Sequence, residues 1–183
     1  MPLPDSGNRT LLHTRSIEMR GYRREDGLFE IDGRVTDVKT EAMKRMDGGR
    51  EFLPGVPVHD MWVRLVVDED LVVKDVIAVT DASPYDICRE AVEPMRAIVG
   101  ERIKGGWGNM VKSKLGGAAG CTHLMEILIP LATAAYQTLT STRLKQPAAV
   151  DADGRPRKID SCYAYAKDRE VVARIWPRWS EKR

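Results

Sequence analysis

Apolar and polar residues alternate over 28–40, LFEIDGRVTDVKT, which predicts a short strand rich in β-branched residues. Two further strands are predicted: VHDMWVRLVVD from Val58 to Asp68 and LVVKDVIAVTD from Leu71 to Asp81. Only Glu69 and Asp70 separate them, so they form an antiparallel hairpin. In the first strand of the pair Met61, Val63, Leu65 and Val67 share a face with His59. In the second, the alternation assigns Val73, Ile77 and Val79 to the core face together with Asp75 and Asp81. His59 and Asp81 fall at strand ends. Gly48, Gly49, Pro54, Gly55 and Pro57 make 41–57 a connecting loop.

After the turn ASPYD the apolar period becomes helical. One helix starts around Cys88 and ends near Val99, with Gly100 as its C-cap. A second carries Trp107, Met110, Val111 and Leu115. The longest apolar run is GGAAGCTHLMEILIPLATAAYQTL, residues 116–139, in which Leu124, Ile127, Leu128, Leu131, Ala134, Ala135 and Leu139 recur at helical spacing. Thr122 is the predicted N-cap and Pro130 a bend. Asp151, Gly154 and Pro156 mark a polar loop. SCYAYAKDREVVARIW then supplies a C-terminal helix that docks through Tyr163, Val171, Val172 and Ile175. Strands first and helices afterwards predict an α+β fold: a small antiparallel β-sheet of about three strands covered by helices. Residues 1–10 read as a flexible N-terminus and 11–183 as a single domain.

Composition narrows the class. A hydrophobic content of 43% beside 31% charged residues gives a chain able to bury a core. With 29 basic and 27 acidic residues the net charge is only +2, which does not favour nucleic acid as a partner. Three cysteines, Cys88, Cys121 and Cys162, do not make a disulfide framework. No uninterrupted apolar stretch is long enough for a membrane span and the start lacks a secretory signal, so the expected location is cytoplasmic. A homodimer is expected from the apolar outer face that a small helix-covered sheet can present.

Candidate chemistry concentrates at the front of the longest helix. Cys121 and His123 meet the positive end of the helix dipole, which favours a thiolate. His59, Asp81, His123 and Glu126 are candidate acids and bases, and Cys121 is a candidate nucleophile. Arg15 or Arg24 could hold a phenolate or carboxylate, and Tyr22, Trp62, Tyr85 and Trp107 could wall an aromatic pocket. Cys88, Cys121 and His123 are ligand types that suit zinc or iron, the alternative to metal-free chemistry. GxGxxG after a strand and the Walker loop are both missing, so neither NAD nor ATP is expected.

The motifs HTRSIEMRGYRREDG, PVHDMWVRLVVDEDLVVKDV, TDASPYDIC, GGWG, GGAAGCTHLMEI and IDSCYAY together resemble the bacterial DUF2889 family from about residue 10 to 179. The resemblance marks His13, Arg15, Tyr22, His59, Asp81, Cys88, Cys121, His123 and Cys162 as family-pattern positions. Proteins resembling this family occur in bacterial aromatic catabolism. That implies a cofactor-independent lyase acting by acid–base chemistry on a lignin-derived or phenylpropanoid aromatic compound. A weaker resemblance, to NifU-like and SufE-like scaffolds, rests on the small sheet, on Cys88 after the third strand and on Cys121 near a long helix. It implies a metal-binding or sulfur-transfer scaffold, although DASPYDIC replaces the compact glycine-cysteine motif of those proteins. A noncatalytic binding or assembly module is the third reading.

Overall fold

The computed structural model describes residues 3–4, 7–145 and 148–182. By its internal contacts the chain divides into two compact units, Met1–Leu139 and Thr140–Arg183, where the sequence reads as one domain over 11–183.

The first unit is a mixed α+β layer. Its main sheet has four antiparallel strands in the order β1 (His13–Arg23), β2 (Phe29–Lys39), β5 (Pro57–Val67) and β6 (Val73–Ala82). The expected count of about three missed β1. That strand lies at a sheet edge and nearly all of it is exposed, so it carries no apolar alternation to read. The expected loop over 41–57 contains a second, two-stranded sheet, β3 (Met43–Lys44) with β4 (Glu51–Phe52).

On the inner face of the main sheet Phe29, Ile31 and Val35 of β2 and Met61, Val63, Leu65 and Val67 of β5 are buried. Asp37 continues the inward series of β2 and is the one charged residue among the buried positions of the described chain. The face expected for β6 is corrected. A register irregularity between Val66 and Val67 leaves Lys74 without a partner residue, so Val76 turns inward while Ile77 and Val79 are exposed. Asp81 follows Ile77 and Val79 on the outer face at the strand's period of two. There it accepts the Trp62 indole N–H at 3.1 Å.

A 3-10 segment at Asp86–Ile98 packs on β6 and contains Pro94, which cannot donate a helical hydrogen bond. Helix α1 (Trp107–Leu115) rests on α2 (Thr122–Thr138), and α2 lies across β1, β2 and β5. The N-cap of α2 is Cys121 rather than Thr122, and its side chain makes no capping bond. The helix continues through Pro130. Its close approach depends on Gly33, where a Cβ would meet Ile127 Cγ2 at 2.7 Å and Leu131 Cδ2 at 3.1 Å. Ile127 is buried and β-branched, so it cannot swing aside freely. Gly33→Ala is therefore expected to destabilise the fold by about 1–3 kcal/mol in urea unfolding, and an unchanged midpoint would contradict this packing.

The second unit contains α3 (Thr140–Arg143) and α4 (Glu170–Ile175), with 3-10 turns at Tyr163–Tyr165 and Pro177–Trp179. Within it Tyr165 and Trp176 have ring centroids 5.9 Å apart, and Asp160 accepts the Lys167 backbone N–H. No helix among the described residues is long and apolar enough to cross a membrane.

Candidate active site

Strand register builds the floor of the site. Arg15 pairs with Asp37 across β1 and β2, and Asp37 pairs with His59 across β2 and β5. Three side chains on the inner face therefore lie in one row. His13 and Lys39 are paired one step further along. Helix α2 then brings His123 and Glu126 over this end of the sheet. All three histidines of the chain converge on Asp37.

Asp37 is 3% exposed. Its Oδ1 accepts from His13 Nε2 at 2.7 Å and Arg15 Nε at 2.8 Å. Its Oδ2 accepts from Arg15 Nη2 at 2.8 Å and His59 Nδ1 at 3.1 Å. Burial alone would raise the carboxyl's pKa. The bonds from Arg15 and His13, with the Arg15 and His59 charges, outweigh it and hold Asp37 well below the usual carboxylate range. An ionised carboxylate only accepts, so His13 carries its proton on Nε2 and His59 on Nδ1.

That tautomer leaves Nε2 of His59 with its lone pair. Burial, together with neighbouring His123, lowers the His59 pKa against the pull of Asp37. Burial and the charge of Arg15 lower that of His123. The two rings stack with centroids 3.7 Å apart and planes tilted by 31°. His123 Nε2 is 3.9 Å from Asp37 Oδ2, and its Nδ1 is 3.9 Å from Cys121 Sγ. Arg15 also reaches Glu126, Nη1 to Oε2 at 3.3 Å, so one guanidinium ties two acidic groups together. Its bond to Asp37, chiefly, raises its own pKa.

Beside this row opens a cavity of about 230 Å³. His13, Arg15, Asp37, Lys39 and His59 form its polar side, and Met43, Val58 and Pro84 its apolar side.

Of the residues singled out from sequence, Arg15, His59, Cys121, His123 and Glu126 meet here. Others sit elsewhere. Asp81 and Trp62 are on the opposite face of the sheet, where Arg34 stacks on the Trp62 ring at 4.6 Å and pairs with Asp60. Tyr22 is exposed on β1, and Arg24 pairs with Asp26 and Glu30. Trp107 is buried, donating its indole N–H to the Leu128 carbonyl at 2.8 Å, which makes it a packing residue. Tyr85 adjoins Pro84 and carries Arg45 over its ring. Cys88 lies on the 3-10 segment after β6, its backbone N–H bonded to Tyr85. Among the described residues, the metal-type ligand atoms that gather within 4.8 Å of one another belong to Asp37, His59 and His123, a group that includes neither Cys88 nor Cys121.

Asp37, the centre of the site, was not among the candidates, although an acid in the inward series Phe29, Ile31, Val35 was a readable signal. The sequence pattern gives Lys39 no prominence either, and marks His13 only as a family-pattern position.

The fold and site define an α+β domain with a buried carboxylate ringed by three imidazoles and a guanidinium. The chain belongs to the family described as "Protein of unknown function (DUF2889)", whose model matches residues 13–137. The match falls within the first unit and spans every residue of the site. No curated protein and no solved structure matches the chain, so nothing from these comparisons supports the likeness to NifU-like and SufE-like scaffolds.

Proposed function

We propose that the domain is a cofactor-independent lyase that uses acid–base chemistry on a small aromatic compound of the lignin-derived, phenylpropanoid type. The observation that carries the acid–base half is the tautomer lock on His59. A carboxylate offers about four lone-pair positions, and on Asp37 they are taken by two bonds from Arg15, one from His13 and one from His59. His59 is thereby oriented as a base, neutral near pH 7, beside a cavity with an apolar side. In the reaction, Nε2 takes a proton from a substrate hydroxyl whose oxygen becomes a carbonyl. The adjacent carbon–carbon bond breaks, its electron pair passes to the carbon conjugated with the ring, and the imidazolium returns the proton there. The aromatic half of the reading rests on the setting in which proteins resembling the family occur.

The grouping of Asp37, His59 and His123 favours a second reading, a zinc or iron site. An ion bound to Asp37 would displace one of the donors that fill its oxygens, next to the Arg15 cation, and this donor set suits it less well.

The test is turnover of hydroxylated phenylpropanoid dimers in deuterated buffer, before and after exhaustive chelation. Unchanged turnover, with one deuterium incorporated at the cleaved carbon, is the expected result. Activity that disappears on chelation and returns with added zinc or iron would establish the metal reading instead.

A further inference from the structure

Lys39 is the one lysine of the chain that is half-buried; every other is exposed. It lies on β2, opposite His13, and lines the cavity beside Asp37 and His59. Most cations around it are matched. Arg15 holds Asp37 and Glu126, and Arg45 holds Asp47. Lys39 has no acidic partner among the described residues. The acid among the cavity's lining residues, Asp37, already has its acceptor positions filled. Lys39 therefore brings to the cavity a positive charge that no acidic group of the described residues offsets, and a bound anion can offset it.

We infer that the cavity selects a ligand bearing a carboxylate, which pairs with Lys39 while the ligand's apolar body rests on Met43, Val58 and Pro84. This rests on the acid–base reading for what happens at His59, but it makes a separate statement: the substrate class is an aryl or arylalkyl acid rather than a neutral aromatic. Lys39 and His59 both line the cavity, so an anion paired with Lys39 lies in the same cavity as the base. Asp37 adds specificity, since a carboxylate placed toward it rather than toward Lys39 meets a fixed like charge.

The experiment is a binding comparison that requires no turnover. 4-Hydroxybenzoate and its uncharged isostere 4-hydroxybenzamide are titrated by calorimetry into the full chain, into Lys39→Met, and into Lys39→Arg. The wild type is expected to prefer the acid by about tenfold or more, the size of one charge-assisted contact. In Lys39→Met the preference disappears through weaker acid binding, with amide binding unchanged, and in Lys39→Arg most of it remains. Equal binding of acid and amide to the wild type overturns the proposal without any variant. So does a preference that survives in Lys39→Met, or failure of both compounds to bind. Because the readout is affinity, loss of the charge preference leaves the His59 chemistry standing, and loss of His59-dependent turnover leaves the charge preference measurable.

Discussion

His59→Gln is expected to slow turnover roughly 10²- to 10⁴-fold while the protein stays folded. Glutamine keeps an N–H for Asp37 but has no titratable nitrogen to serve as base. The pH profile makes this prediction specific. His59 works only when neutral, so the rate rises with pH as its proton leaves. Burial and His123 move that transition below the ordinary histidine value of 6.5, which keeps the base neutral into mildly acidic solution. The wild type should therefore show an acid limb with a midpoint under 6.5, and His59→Gln should lose that limb along with its activity. If His59→Gln turns over like the wild type, the base lies elsewhere and His123 is next to be replaced.

Asp37→Asn is expected to destabilise the domain by about 3–5 kcal/mol at neutral pH. The carboxylate is the common acceptor for Arg15, His13 and His59. The amide would offer one oxygen and turn an N–H₂ donor against these donors. The pH dependence follows from the sign of the shift. Asp37 titrates lower in the folded protein than in the unfolded chain, where a free aspartate titrates near about 3.9. Its contribution is therefore complete above that value and is lost as the pH falls through and below it. Urea unfolding should show the wild type's advantage over Asp37→Asn at pH 7 narrowing once the pH drops under about 4. A difference that stays constant over this range would mean that the carboxylate's charge is not what stabilises the fold.

Much of the fold could be read from the chain because its central strands alternate cleanly. Phe29, Ile31 and Val35, and Met61 to Val67, declare their inward face by period alone, and the helical run after Cys121 is long enough to be unmistakable. The errors have local physical causes. Strand β1 was invisible because an exposed edge strand has little to bury, and the face of β6 was misassigned because one extra residue at Lys74 reverses every side chain after it. The site was harder to read for a related reason. His59, His123, Cys121 and Glu126 could be nominated as chemistry-bearing types, but their common centre, Asp37, was hidden in a strand that seemed merely structural. Asp81, a candidate by its place at a strand end, follows the reversed face of β6 to the other side of the sheet. Aromatic residues were the least informative group. Trp107 is core and Trp62 belongs to an ion-paired outer surface, and composition alone distinguishes neither role.

The row formed by Arg15, Asp37 and His59 draws its members from an edge strand and two central ones, and its roof comes from a helix more than a hundred residues beyond the first of them. Contacts of such long sequence separation form later and more slowly than local ones. A nascent or partly assembled molecule therefore holds a loose aspartate and scattered imidazoles with ordinary proton affinities. Competence requires the edge strand and the helix to be in place together, so reactivity itself reports that both have docked.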